Sequence, residues 1–210
     1  MPMDIVAPAL DAYLQRITPS RHEVLKEMET LANIKQFPIV GPLVGRVLYL
    51  YAKLLNPKRI LELGSGFGYS AFWWAIASSE DCLIFCTEGS AENIQTAEQF
   101  LGRAGLRHKV RYYQGDALQT MDQIPGEFDI IFMDIDKHQY PEGFLKGFPR
   151  LRRGGLFITD NVLWSGRVVE RDPDISTHAI QQYNELIYNT GGAFSCILPV
   201  RDGVAVTLKE

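Results

Sequence analysis

Cysteine is scarce in this chain of 210 residues, and its spacing argues against two classes of protein. The three cysteines, Cys82, Cys86 and Cys196, form no CxxC pair, and their odd number leaves at least one without a disulfide partner in the chain. Neither a zinc site built on cysteine pairs nor a fold held together by disulfides is therefore indicated. We expect reduced thiols that are mostly buried.

A long uninterrupted apolar run is also missing. A membrane-spanning helix needs about 20 consecutive apolar residues, but the most apolar early segment, residues 37–50, is interrupted by two prolines, two glycines and Arg46. The first residues lack the basic start and apolar block of a secretory signal. The sequence therefore predicts a cytoplasmic protein that does not bind membranes.

Neither sign of charge dominates the composition. The formal net charge is -4, so the basic footprint of a nucleic-acid-binding protein is absent. With 46% hydrophobic and 22% charged residues, the composition is that of an ordinary globular protein. No repeat or low-complexity linker divides the chain, so we expect one domain over residues 1–210, with N-terminal helices in 1–56 and the core in 57–210. A small molecule is the expected partner.

Short apolar runs alternate with helical sequence along most of the chain. This alternation predicts an α/β fold with a parallel sheet between helices. Strands are predicted at Arg59–Leu63, Leu83–Thr87, Val110–Gln114, Asp129–Asp134 and Leu156–Thr159, and helices at Ile5–Ile17, Ser20–Ile34, Tyr69–Ala77, Ala91–Arg103 and Tyr140–Leu151. Ser20 and Glu23 have the spacing of a capping box. Asp202-Gly203, between the runs Ala193–Pro199 and Val204–Leu208, predicts an antiparallel hairpin.

A glycine-rich turn, Gly64-Ser-Gly66-Phe-Gly68, follows the first strand and precedes a helix. Such turns let a ligand approach the backbone and the helix N-terminus. The NAD fingerprint requires a third glycine where this chain has Tyr69, so an NAD site is disfavoured. A structural turn with no ligand is the alternative. Glu62, just before the turn, is a candidate for attracting the cationic end of a cofactor.

Polar residues also follow the later strands. Glu88 ends the second strand, where its carboxylate can accept both hydroxyls of a ribose, although a solvated loop acid is the alternative. Asp116 and Ala117 follow the third strand and are candidates for contacting adenine, and Asp116 is equally well suited to cap a helix.

Two further strand ends carry oxygen ligands. Asp134 ends the fourth predicted strand and is followed by Asp136 and Lys137, and the pair Asp160-Asn161 ends the fifth. If these strands are neighbours, the oxygens of Asp134, Asp160 and Asn161 converge, and such a set suits a hard divalent cation. Taken singly, Asp134 could instead cap a helix and Asp160-Asn161 could form a turn.

With these motifs in this order, the chain resembles the cation-dependent catechol and caffeoyl-CoA O-methyltransferases, in the compact form typical of bacterial members. The segment from Glu62 to Ser70 is similar to the family's cofactor motif. Asp134 and Lys137 match the metal ligand and the catalytic base, and Asp160-Asn161 match the remaining ligands. The similarity covers roughly residue 37 to the C-terminus.

The resemblance implies a Rossmann-like class I methyltransferase fold, with a mostly parallel seven-stranded sheet, helices on both faces and a C-terminal antiparallel strand pair. It implies a homodimeric enzyme that uses Mg²⁺, Mn²⁺ or Ca²⁺ and S-adenosylmethionine (SAM) to methylate a hydroxyl of a catechol-like or hydroxycinnamoyl molecule. Lys137 is the predicted catalytic residue, and Asp134, Asp160 and Asn161 are the predicted metal ligands. The predicted cofactor-binding residues are Val40, Gly41, Glu62, Gly64, Ser65, Gly66, Gly68, Ser70, Glu88, Asp116, Ala117 and Asp134.

One position departs from the family pattern. Arg46 stands where members often carry glutamine, and this difference could alter the substrate entrance. The roles of Asp136, His138 and Trp164 stay open. Two other functions remain as alternatives, an NAD-dependent oxidoreductase and a non-catalytic SAM-binding module.

Overall fold

The computed structural model of the protein describes residues 4–19 and 22–210. Its strands are β1 (Arg59–Leu63), β2 (Leu83–Glu88), β3 (Val110–Gln114), β4 (Phe128–Met133), β5 (Leu151–Thr159), β6 (Ala193–Leu198) and β7 (Val204–Lys209). They form one sheet in the order β3-β2-β1-β4-β5-β7-β6. Strands β1 to β5 pair in parallel, and β7 is antiparallel to both β5 and β6. The mostly parallel seven-stranded sheet with a C-terminal antiparallel pair is therefore confirmed.

The helices are α1 (Pro8–Ile17), α2 (Glu23–Lys35), α3 (Gly41–Leu55), α4 (Tyr69–Ala77), α5 (Ala91–Arg103), α6 (Ala117–Thr120), α7 (Tyr140–Gly147) and α8 (Ile175–Asn189). Helix α2 starts later than predicted, because His22 is its N-cap and accepts a hydrogen bond from the backbone N–H of Val24. The predicted capping box rests on Ser20, which lies outside the described residues. Within residues 4–19 and 22–210, no helix is long and apolar enough to cross a membrane.

The predicted helix Tyr140–Leu151 is wrong at its C-terminal end. Helix α7 ends at Gly147, a short 3₁₀ turn follows over Phe148–Arg150, and β5 begins at Leu151 instead of Leu156. Pro149 explains the break, since it lacks the N–H that would continue an α-helix. The register between β4 and β5 shifts between Phe128 and Ile130, so the early part of β5 is an irregular strand.

Successive residues of the sheet point to opposite faces, and both faces are covered. Ile60 and Ile130 belong to a core that includes residues of α2, α3 and α4. Their neighbours Leu61 and Ile131 belong to a second core that includes residues of α7 and α8. The predicted helices on both faces are therefore present, and the carboxyl ends of the parallel strands meet at one edge of the sheet.

Candidate active site

A cavity of about 810 Å³ lies at this edge and collects most of the predicted site residues. Its volume falls within the range of roughly 300–1,000 Å³ that is typical of small-molecule sites. Three of the predicted residues, Gly41, Glu62 and Gly68, do not line it. The predicted residues that line it are Val40, Gly64, Ser65, Gly66, Ser70, Glu88, Asp116, Ala117, Asp134, Lys137, Asp160 and Asn161.

The glycine-rich turn connects β1 to α4 and passes against the end of β4. Gly64 has a φ of +81°, and a Cβ atom there would lie 2.2 Å from the carbonyl oxygen of Asp134. Any larger residue would push the turn away from β4, and with it the backbone that lines the cavity. The glycine at position 64 therefore sets the distance between the turn and the acidic end of β4.

Glu88 is held in place and is not a freely solvated loop acid. Its Oε2 accepts a hydrogen bond from the backbone N–H of Gly66 at 2.8 Å. Its Oε1 accepts from the backbone N–H of Ser90 at 2.9 Å and from the side-chain amide of Asn93 at 3.1 Å. Because the carboxylate also lines the cavity, it is a fixed acceptor beside the glycine turn.

Asp116 caps α6 and lines the cavity at the same time. Its Oδ1 accepts hydrogen bonds from the backbone N–H groups of Leu118 and Gln119, both at 3.0 Å. Its Oδ2 accepts from the side chain of Gln139 at 3.0 Å. The capping alternative is therefore present, and it does not remove Asp116 from the cavity wall.

Glu62 lies beneath the turn and is fully buried. Ser70 Oγ donates a hydrogen bond to the Glu62 Oε1 at 3.0 Å, whereas the Glu62 Oε2 has no hydrogen-bond partner among the described residues. Burial raises the pKa of this carboxyl group to about 8. In the ligand-free protein near neutral pH, Glu62 therefore holds its proton for much of the time.

We expect the free energy of unfolding to depend on pH through Glu62. Its pKa is higher in the folded protein, at about 8, than its ordinary value of 4.5, so the folded state binds the additional proton between these values. The contribution of Glu62 to stability is thus full below pH 4.5 and is lost as pH rises from 4.5 through 8, a loss on the order of 5 kcal/mol. Urea unfolding of wild type and Glu62→Gln from pH 5 to pH 9 should show a difference that grows with pH in favour of the variant. Glu127→Gln, at an exposed position, is the control; equal pH profiles for wild type and Glu62→Gln would contradict the prediction.

The acidic centre forms where β4 and β5 end side by side. Lys137 Nζ donates hydrogen bonds to Asp134 Oδ1 at 2.8 Å and to Asn161 Oδ1 at 2.9 Å. Asp160 is 2% exposed, and within residues 4–19 and 22–210 its Oδ1 has no hydrogen-bond partner. Burial and, secondarily, the charge of Asp134 raise the pKa of Asp160 to about 7. The structure thus brings Asp134, Lys137 and Asn161 into contact, and Asp160 lines the same cavity.

The donor set fits a hard divalent cation. Lys137 places its ammonium charge between oxygens of Asp134 and Asn161, which are hard ligands suited to such an ion. The orphaned oxygen of Asp160 also calls for a cation or a donor. Among the described residues, no three His, Cys, Asp or Glu side chains form a group that could hold a metal ion, and this centre offers two carboxylates and one amide. Metal binding therefore stays a proposal.

Tyr140 belongs to the centre, although the sequence motifs did not identify it. It is fully buried, its hydroxyl accepts a hydrogen bond from Lys137 Nζ at 2.7 Å, and it donates to the backbone carbonyl of Asp160 at 2.9 Å. Burial raises the pKa of Tyr140 well above its ordinary value, which keeps the donating proton in place. The spacing of three residues from Lys137 was the only signal in the sequence.

For the methyl transfer that the family resemblance implies, we expect Tyr140→Phe to lower kcat about tenfold while the KM for SAM stays unchanged, because Lys137 loses one of three partners that fix its amine. The matched control is Tyr183→Phe. That hydroxyl is equally buried, but it bonds Thr159 and not Lys137. Methyl-transfer kinetics and thermal unfolding of both variants separate the roles: both should lose stability, and an equal loss of kcat in both would show that the effect is structural.

The residues with open roles lie around the same cavity. Asp136, His138 and Trp164 line it, and Asp136 is the N-cap residue of a short 3₁₀ turn without a side-chain capping bond. Lys137 Nζ lies 5.7 Å from the centre of a Trp164 ring, within the range of a cation–π contact. Arg46 does not line the cavity, and its guanidinium donates to the carbonyl of Pro19 at 3.1 Å.

Comparison with known proteins places the chain in a family. A sequence model described as O-methyltransferase matches residues 15–210. Caffeoyl-CoA O-methyltransferase 2 of Eucalyptus globulus is 30% identical over 205 residues, which cover 90% of this chain and 83% of that protein. An O-methyltransferase from Bacillus cereus, solved with S-adenosylhomocysteine (SAH), is 27% identical with a TM-score of 0.88, and covers 96% of this chain and 97% of the other. The O-methyltransferase TomG of Streptomyces achromogenes, solved with SAM, is 27% identical with a TM-score of 0.85 over 96% of each chain. The chain therefore belongs to the O-methyltransferase family, and it is a SAM-dependent enzyme similar to the caffeoyl-CoA O-methyltransferases.

Proposed function

We propose that this enzyme transfers a methyl group from SAM to one hydroxyl of a small vicinal diphenol, in a reaction that depends on a divalent cation. One observation carries the proposal. Lys137 Nζ lies 2.8 Å from Asp134 Oδ1 and 2.9 Å from Asn161 Oδ1, beside the orphaned Asp160 Oδ1, in the cavity that also contains the glycine turn. An amine, a set of cation ligands and a candidate cofactor turn thus share one cavity.

The cofactor is proposed to lie along the glycine turn. The backbone of Gly64 and Gly66, the hydroxyl of Ser70 and the carboxylate of Glu88 would bind it, together with Val40, which lines the same cavity. Gly41, Glu62 and Gly68 do not line the cavity, and they would support the cofactor-binding residues from behind the cavity wall. Asp116 and Ala117 are at the candidate adenine end, and α4 begins at Tyr69, directly after the turn, so that its N-terminus lies next to the proposed cofactor.

Asp134, Asp160 and Asn161 would hold the cation. A divalent cation bound there supplies Lewis acidity, which makes an acceptor hydroxyl more acidic than the ordinary phenol, whose pKa is about 10. The residues of the chain supply the rest. The three oxygens orient the acceptor, and the wall of the cavity that includes Trp164 excludes water from it.

Lys137 is proposed as the base. In its amine form, Nζ takes the proton of the reacting hydroxyl, and Tyr140 holds Nζ at the correct place. The freed oxygen then attacks the methyl carbon of SAM. The C–O bond forms as the C–S bond breaks, and the electron pair of that bond goes to sulfur, which leaves as SAH.

The two alternatives fit less well. The sheet of a classical dinucleotide-binding domain is parallel in the order 3-2-1-4-5-6, whereas here antiparallel β7 lies between β5 and β6. A non-catalytic SAM-binding module does not need Lys137 fixed by three oxygens.

The deciding experiment measures methyl transfer from labelled SAM to a panel of catechols and hydroxycinnamoyl thioesters, with Mg²⁺ and with excess chelator. We expect product with Mg²⁺ and none with chelator, and full recovery after Mg²⁺ or Mn²⁺ is added back. Product that is insensitive to chelator would overturn cation dependence. Binding of SAM without product from any diphenol would overturn the acceptor class.

A homodimer is also proposed. Exposed apolar side chains on α1 and α3, among them Leu10, Ile17 and Leu54, offer a surface for a second copy. Light scattering gives the mass in solution, and a monomeric mass at micromolar concentration would contradict this.

A further inference from the structure

The turn between β6 and β7 places an arginine in the wall of the cavity. Arg201 has a φ of +50°, a backbone conformation that residues other than glycine rarely adopt. Its Nη1 donates a hydrogen bond to the carbonyl oxygen of Ile39 at 2.7 Å, just before α3. The guanidinium therefore lies over the segment that contributes Val40 to the cavity.

The same turn is bonded to the segment that follows the acidic centre. The backbone N–H of Val162 donates to the carbonyl of Gly203 at 3.1 Å, and that of Leu163 donates to the carbonyl of Asp202 at 2.9 Å. Asp202 Oδ1 also accepts a hydrogen bond from the backbone N–H of Ser165. Arg201 thus stands between α3 and the segment that begins at Asn161, on the side of the cavity where the acceptor is proposed to bind.

Arg201 forms no ion pair in the described part of the chain, although its charge acts at longer range on Asp160 and Asp202. Two Lys or Arg residues line the cavity there, Lys137 and Arg201. Lys137 is ion-paired with Asp134 at 2.8 Å, whereas no carboxylate of the described residues forms an ion pair with Arg201. A guanidinium carries five N–H donors in a planar fork that matches a carboxylate, and the one bond to Ile39 leaves most of them free.

We propose that Arg201 selects acceptors that carry a carboxylate, by forming an ion pair with it while the two hydroxyls face the acidic centre. This rests on the proposed function and narrows its substrate class to acidic vicinal diphenols. SAM also carries a carboxylate, so the experiment has to separate the two sources. The preferred acceptor should bind more weakly as ionic strength rises, since the pair is partly exposed to solvent.

The test compares two acceptors of the same shape, 3,4-dihydroxybenzoate and the neutral 3,4-dihydroxybenzamide. Their dissociation constants are measured by calorimetry with Mg²⁺ and SAH present, so that no turnover is needed. In wild type the benzoate should bind roughly tenfold or more tightly than the amide. In Arg201→Gln the ratio of the two constants should fall to about one, and Arg201→Lys, which keeps the charge, should retain part of it. Arg153→Gln is the control, because it removes an exposed cation from β5, outside the cavity.

The outcomes are distinct. The proposal would be overturned if the ratio of the two dissociation constants in Arg201→Gln equals that of wild type while circular dichroism shows an intact fold. A loss of SAH affinity in Arg201→Gln that is as large as the loss for the benzoate would also overturn it, because Arg201 would then bind the cofactor carboxylate. No preference for the benzoate in wild type also overturns it. The proposed function is tested separately, since it depends on methyl transfer and not on which diphenol binds more tightly.

Discussion

Lys137→Ala should lose methyl transfer by a factor of roughly 10²–10⁴ while SAM binding is retained, because the variant lacks the proposed base. The Lys137 side chain is 12% exposed and its amine is fixed by Asp134, Tyr140 and Asn161, so water cannot easily replace it in the same position. No other amine shares these partners in the described part of the chain. The measurement is single-turnover methyl transfer together with SAM binding by calorimetry.

Two companion variants decide between loss of a base and loss of a charge. Lys137→Arg keeps a cation near Asp134, but a guanidinium does not give up its proton, so it should be nearly as inactive as the alanine variant. Lys146→Ala removes a lysine that bonds Asp122 outside the cavity, and its activity should stay at the wild-type level. Full activity in Lys137→Arg would remove Lys137 from the base role, and unchanged activity in Lys137→Ala would do so at once.

The location of the site could be predicted from local sequence, because it depends on where parallel strands end. The glycines after β1 and the acids after β4 and β5 are next to each other in sequence within each motif, and strand order then brings the motifs together. The hairpin signal of Asp202-Gly203 likewise lies in two adjacent residues, and it is confirmed by antiparallel β6 and β7.

The contacts that could not be predicted from the sequence join segments that are far apart in the chain. Arg201 reaches the carbonyl of Ile39 across 162 positions, and Tyr140 reaches that of Asp160 across 20. The burial of Glu62 is a similar case. A carboxylate next to a glycine turn predicts a charge facing the ligand, but its complete burial and its raised pKa depend on the packing around the strand, which no local pattern contains.

The same distinction explains the error at the end of α7. Periodicity extended the helix to Leu151, while the early part of β5 contains Gly154 and Gly155, which favour a turn in sequence. Pairing with Phe128 of β4 keeps this segment in the sheet across a register shift. Pairing with β4 outweighs the local preference for a turn there, and the strand still places Asp160 at the predicted edge of the sheet.

Asp160→Asn should produce a protein that is more stable without cations and inactive with them. In the cation-free protein, Asp160 is 2% exposed with an orphaned oxygen, and it lies in the field of Asp134. Neutralising it removes the cost of burying a charge near a like charge, so the variant should gain on the order of 1–3 kcal/mol in the free energy of unfolding. At the same time it removes one of two anionic ligands, and methyl transfer should fall by roughly a hundredfold or more.

The decisive measurement is urea unfolding of both proteins with chelator and with millimolar Mg²⁺. Wild type should gain stability when Mg²⁺ is present, since an ion that binds only the folded state stabilises it, and Asp160→Asn should gain little. The difference in the free energy of unfolding between Asp160→Asn and wild type is therefore expected to narrow or reverse when Mg²⁺ replaces the chelator. Asp122→Asn, which neutralises an exposed carboxylate outside the cavity, controls for net charge. Equal Mg²⁺ stabilisation of wild type and Asp160→Asn would mean that Asp160 does not hold the cation, and a variant that is less stable than wild type with chelator would mean that its carboxylate has a structural partner even without metal.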